Sequence, residues 1–310
     1  DGTTLVTDIK SGAGSGSYPQ YLTNVNGTLF FNAETQSNGY ELWKVGGPTS
    51  GASLVKDILS GSGSSSPNHL TSFQQKLFFK ASESSGDELW CSDGTPGGTF
   101  RVKDIYSGGT GSNPAYLTVV GDTLFFKAQT SELGTELWKT DGTSEGTTLV
   151  GDINTSGSSS PSSLANVDGV LFFSADDGTN GQELWKSDGT FSGTAMVTDI
   201  NPGSSSNPAS ITNVNGTVYF RADDGNSAKL FKSDGTANGT VVVHSYYADT
   251  LTAFADSILF RSNQLLYLSD GTPGQAVTAN GLSMVDSGES GLVVVGNRAY
   301  IKGGALRDAY

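Results

Sequence analysis

The side chains with usable chemistry in this 310-residue chain are few, and they stand beside prolines and glycines. Tyr18, Tyr21, His69 and Tyr116 gather around Pro19, Pro67 and Pro114, and Tyr40 follows Gly39. Flat aromatic faces among Ser, Asn and Asp are what a sugar site uses, with a face to stack on and short polar groups to grip hydroxyls. Asp176-Asp177-Gly178 and Asp223-Asp224-Gly225 put paired carboxylates in loops, where hard oxygen ligands could hold calcium. The EF-hand spacing is absent, and solvated turn carboxylates are the plainer reading. No cofactor is expected, with calcium the one candidate.

Other chemistries are excluded by composition. His69 and His244 are the only histidines, so neither a zinc site nor a set of several histidines for acid–base work is available. Cys91 is the only cysteine, which rules out a disulfide framework. It replaces a lysine of a repeated stretch and reads as a neutral substitution there. No Gly-x-Ser-x-Gly elbow, phosphate loop or dinucleotide fingerprint occurs, and no carboxylate pair is singled out for glycoside hydrolysis. The net charge of −14 opposes nucleic acid and anionic membrane surfaces as partners. No apolar run is long enough to cross a bilayer, and no signal peptide is present.

The elements that must position these residues repeat. Glu88-Leu-Trp-Cys-Ser-Asp-Gly-Thr95, Glu136-Leu-Trp-Lys-Thr-Asp-Gly-Thr143 and Glu183-Leu-Trp-Lys-Ser-Asp-Gly-Thr190 are near copies, with worn versions at Glu41, Lys229 and Leu266. The aromatic position falls at Trp43, Trp90, Trp138, Trp185, Phe231 and Tyr267, in steps of 47, 48, 47, 46 and 36 residues. Between copies lie four apolar runs, a to d in sequence order within a sheet, separated by turn signals. Asn26-Gly27, Asp168-Gly169 and Asn215-Gly216 are two-residue hairpin turns, because both central positions need positive φ.

Four short antiparallel strands per unit and no helical period predict an all-β, seven-bladed β-propeller. A single domain spans 1–310, with units at about 1–45, 46–92, 93–140, 141–187, 188–233, 234–269 and 270–310. Leu5–Ile9 is the strand that elsewhere follows the signature, and the last unit ends at Ala305–Arg307 without its outermost strand. The N-terminal strand is therefore expected to pair with the C-terminal blade and close the ring. The doubled aromatics Phe30-Phe31, Phe78-Phe79, Phe125-Phe126 and Phe172-Phe173 suit sheets covered on both faces. Asp8, Asp57, Asp104, Asp152 and Asp199 recur at one position and read as brackets between sheet and loop. A buried Trp185 would cost roughly 3–5 kcal/mol to truncate.

The signature resembles that of the bacterial ELWxxDGT repeat family, matched letter for letter at Glu88–Thr95, Glu136–Thr143 and Glu183–Thr190. The resemblance covers essentially the whole sequence and weakens at Glu41–Gly47 and after Lys229. It implies a secreted or cell-surface β-propeller of adhesin type, and it carries no catalytic residues over.

The expected function is a non-enzymatic, extracellular, lectin-like module. It would bind glycans multivalently at the d-to-a loops, with at most five equivalent sites. Tyr18, Tyr21, Tyr40, His69, Tyr116, Asp176 and Asp177 are the candidate ligand-binding residues. The alternative is a protein-binding or structural adhesin segment contacting a cell-surface protein. A polysaccharide hydrolase or lyase with a channel site is the third reading.

Overall fold

Hairpin turns close where the sequence places them. Asn26 and Gly27, Asp168 and Gly169, and Asn215 and Gly216 all have positive φ, as a two-residue turn between right-twisted strands requires. The second sheet makes the same turn with Gln74 and Gln75, at φ 47° and 63°, without glycine. The computed structural model describes residues 3–12, 16–47, 50–263, 265–283, 291–295 and 298–302.

Strands pair with their sequence neighbours in antiparallel sheets, and no helix occurs among the described residues. Six sheets have four strands in the order a-b-c-d, spanning 20–56, 68–101, 115–151, 162–198, 209–244 and 249–283. A seventh has two, Gly291–Val295 and Arg298–Lys302. The protein divides into two compact units, Asp1–Leu149 and Val150–Tyr310.

This is an all-β, propeller-like fold, with one difference from expectation. Leu5–Ile9 forms no strand: the Ala52 amide donates to Thr7 Oγ1 at 2.8 Å beside the first sheet, and Leu5 is 81% exposed. Its expected partner, Ala305–Arg307, lies outside the described residues.

The doubled aromatics give each sheet one ring per face, because successive strand residues point to opposite sides. In the first unit, Phe30, Leu42 and Val55 pack against Leu77, Phe79 and Trp90 of the second sheet. Phe78, Leu89 and Cys91 then meet Leu124, Phe126 and Trp138 of the third. In the second unit, Phe172 and Leu184 pack on Val218 and Phe220. Burial pushes the Cys91 thiol up to about 11, so it is an inert apolar side chain. Trp185 and Trp43 are only half-buried, whereas Trp90 is almost fully covered, with the Lys56 ammonium 5.7 Å from its ring centre.

Every letter of the Asp-Gly-Thr tail is used. Thr95 donates its amide and its hydroxyl to Asp93 Oδ1 at 2.8 and 2.7 Å, and the Gly98 amide donates to Thr95 Oγ1 at 2.9 Å. The same bonds recur at Asp141, Asp188 and Asp234. A Cβ at Gly98 would collide with the Asp93 carboxylate, so a side chain has no room there.

The signature glutamate does what the recurring aspartates were expected to do. Glu88 is fully buried, and its carboxylate accepts the Ser112 amide and hydroxyl at 2.9 and 2.5 Å and the Ile105 and Tyr106 amides at 3.3 and 3.4 Å. Glu41 holds Ile58, Leu59 and Ser65 in the same way. Glu183 holds Ile200 and Ser206. The loops after the first, second and fourth sheets are thus gripped by the strand c carboxylate before them. The aspartates take smaller shares: Asp57 accepts from Gly61 and Asn38, and Asp104 pairs with Arg101 at 3.5 Å. Burial outweighs the hydroxyl and amide donors and raises the carboxyl pKa of Glu41, Glu88 and Glu183.

Trp90→Ala is expected to cost roughly 3–5 kcal/mol in urea unfolding, while Trp185→Ala should cost clearly less; equal losses would refute the packing described. Glu88→Ala, which strands buried amides, should cost about 3 kcal/mol. Because the native Glu88 carboxyl binds its proton more tightly than the unfolded one, its contribution to stability is greatest in acid and declines as pH rises through the native pKa. Glu88→Gln should lack that decline when unfolding is followed against pH, and parallel curves for wild type and variant would show the sign to be wrong.

Candidate functional site

Each Ser-rich loop ends in a residue held at positive φ immediately before proline: Tyr18, Ser66, Asn113, Ser160 and Asn207, at φ 45–52°. Proline disfavours the right-handed helical region for the residue before it, and the left-handed bend turns the backbone into strand a. Three residues on, a second left-handed residue follows, Tyr21, His69, Tyr116, Ser163 and Ser210, and Thr250 takes the same conformation in the sixth sheet without the proline, all at φ 51–58°. The a–b pairing slips around these positions, as between Asn68 and Thr71 or Ser162 and Ala165. A bulge of this kind re-aims one side chain away from the ladder. It recurs whether the residue is Tyr or Ser, so the bulge belongs to the architecture and the side chain on it is free to vary.

The structure brings together three of the candidate residues. Tyr21, His69 and Tyr116 occupy the same bulge position in the three successive sheets of the first unit. The first two a strands adjoin, with Thr23 Oγ1 donating to Leu70 O at 3.4 Å. Tyr21 is 51% and Tyr116 42% exposed, so neither ring serves the core. Among the described residues, the second unit carries Ser163, Ser210 and Thr250 at this position.

The other candidates stand apart. Tyr18 lies at the pre-proline position, with Gly16 placed against its ring. Tyr40 belongs to the loop anchor, its amide donating to Ser64 Oγ and its carbonyl accepting from Ser66, both at 3.0 Å. Asp176 and Asp177 are taken up by their own turn. The Gly178 amide donates to Asp176 at 2.6 Å, and Asp177 accepts from the Thr179 and Asn180 amides and the Asn180 side chain. That donor pattern is turn chemistry, and no group of three or more His, Cys, Asp or Glu side chains is placed to hold a metal among the described residues.

Sequence reasoning missed the cations beside the aromatic row. One register position on strand b, facing the start of strand a, carries Asn32, Lys80, Lys127, Ser174, Arg221 and Arg261 in successive sheets. Lys80 pairs with Asp87 at 2.9 Å and donates to Asn113 Oδ1 at 2.7 Å. The Lys127 ammonium lies 5.1 Å from the Tyr116 ring centre. Desolvation, then the Lys80 charge, holds the Lys127 pKa below its ordinary value. Desolvation, then Lys80 and Lys127, does the same to His69. The signal was available, since Lys80 and Lys127 hold the same place in the repeat, just after the doubled aromatics.

No family model matches the sequence, and no curated protein matches it. Solved structures do share the fold. A prolyl endopeptidase, described in terms of inter-domain dynamics in catalysis and specificity, superposes with a TM-score of 0.57 at 13% identity, over 90% of this protein and 45% of its own length. A puromycin hydrolase gives 0.54 at 14%, over 93% and 50%. Prolyl oligopeptidase B from Galerina marginata, bound to a 35mer substrate, gives 0.54 at 12%, over 92% and 45%. The protein thus spans about half the length of each. At these identities the likeness is one of fold.

The lectin expectation is corrected. The solved structures named above are a prolyl endopeptidase, a puromycin hydrolase and a prolyl oligopeptidase, which point to a peptidase-related propeller and away from a lectin. Ser65, Ser112, Ser159 and Ser206 are buried, three of them seen bonded to a signature glutamate, and among the described residues the aromatic row belongs to the first unit. No helix among the described residues is long and apolar enough to cross a membrane.

Lys127→Gln should raise the pKa of His69 measured by NMR titration, since one of the charges opposing the imidazolium is removed. His244, lowered by desolvation alone, serves as the internal control. An unmoved His69 would show that the two side chains do not interact.

Proposed function

We propose that this protein is a non-catalytic propeller module that recognises polypeptide segments through the aromatic row of its first unit. The observation that carries the reading is the placement of Tyr21, His69 and Tyr116 on three rigid bulges of successive a strands, with the two tyrosine rings exposed. Aromatic side chains held in fixed positions give large contact area at small entropic cost, and they are enriched where proteins bind other polypeptides. Carbonyl and ammonium groups close by, at Asn113, Lys80 and Lys127, supply what a peptide backbone and its side chains need. The fold likeness supports the same direction, because the proteins that share it are named for acting on peptides and one is held with a 35mer substrate.

A random peptide library displayed on phage and panned on the immobilised protein tests this. Enriched sequences, made synthetically, should bind the wild type in calorimetry and lose at least about tenfold with Tyr21→Ser/Tyr116→Ser. Serine is chosen because Ser163 and Ser210 already occupy the same bulge at positive φ, so the melting temperature should hold. Failure to enrich any peptide, or equal affinity in the double variant, sinks the proposal.

A further inference from the structure

The ammonium of Lys127 is half-buried and stands against an aromatic ring and a neighbouring lysine. It has no carboxylate within ion-pair distance among the described residues. The ring is that of Tyr116, and the lysine, Lys80, is itself taken by Asp87. A half-buried cation facing a like charge is an unfavourable arrangement that the fold does not require. The same register position carries Asn32 and Ser174 in other sheets, so a neutral side chain fits there. Where the second unit places a cation at this position, Arg221 donates to the Tyr247 hydroxyl at 2.5 Å and lies 5.0 Å from its ring centre.

Resting on the polypeptide-recognition reading, we infer that Lys127, with Lys80, His69 and Tyr116 around it, is a carboxylate-binding subsite that makes the protein select acidic segments. An incoming carboxylate would take the charge-assisted bond that Lys127 lacks, while Tyr116 covers the apolar stem of the same residue. The Lys80–Asp87 pair fixes the neighbouring wall and, through Asn113, the start of the third sheet's a strand. Aspartate, glutamate and the free C-terminus of a polypeptide share this chemistry. Below neutrality His69 adds a further positive charge, so affinity should rise as pH falls toward its native pKa. The charged groups that set this response are Lys80, Lys127 and Asp87.

The full-length protein is titrated with acetyl-Gly-Glu-Gly-amide, with the Gln tripeptide as neutral control, and with acetyl-Gly-Gly-Gly bearing a free C-terminus. The His69 ring signal is the readout, since it reports weak binding at this position. The Glu peptide should bind about tenfold more tightly than the Gln peptide and should raise the His69 pKa. Lys127→Gln, confirmed as folded by its unchanged melting curve, should abolish the difference. Response to the free C-terminus as well as to Glu would assign the site to carboxylates in general and supports the subsite; response to the free C-terminus alone overturns the selection of acidic segments. A Glu-to-Gln ratio unchanged in Lys127→Gln overturns it, as does inorganic sulfate binding as tightly as the Glu peptide. If library peptides bind through the tyrosines without acidic preference, this inference falls and the recognition reading stands; if no peptide binds at all, both fall.

Discussion

A buried carboxylate in strand c holds the loop that leads to the next sheet, and Glu41 and Glu88 in this way hold the loops that lead to His69 and Tyr116. In Glu41 and Glu88 it satisfies three backbone amides and one serine hydroxyl of an otherwise irregular loop. A connection with so many polar backbone groups can lie against a core only if those groups find partners. The clamp gives the loop a defined end, the left-handed residue before proline and then the bulge that follows. Without it, the Ser- and Gly-rich segments would present no fixed geometry to a ligand.

The sheets are held together by different means. Strand b alternates its large side chains between two neighbours, so the doubled aromatics bind the second sheet to both the first and the third. Trp90 is covered because Phe30, Leu42 and Val55 reach it from the preceding sheet, while Trp185 keeps more contact with solvent. The same letter of a repeat therefore carries different weight in different copies. Cys91 shows this too, sitting where other copies have lysine and joining the core shared with the third sheet.

Such differences between copies set the candidate site. The backbone repeats its bulge in both units, yet among the described residues the aromatic rings on it, and the two lysines that converge on a histidine, belong to the first unit. The Ser-rich loops suggested many equivalent binding sites because hydroxyl-rich, varied loops usually face solvent. One serine in each of four loops instead turns inward, and its hydroxyl serves the clamp where this is seen. Composition cannot distinguish an outward serine from an inward one, because the difference lies in a carboxylate 24 residues earlier in the sequence.

The sequence by itself determined the all-β class, the period and the hairpin turns, since these rest on patterns within a few residues and on φ values that only certain residues adopt easily. It also picked out Tyr21, His69 and Tyr116, though not as one row. Tertiary structure alone decided that Glu88 rather than Asp104 carries the loop, that Tyr40 anchors the loop at Ser64 and Ser66, and that Lys127 meets Tyr116 and Lys80. Those outcomes depend on groups from different sheets, and on which side of a strand each one falls once a bulge has shifted the register.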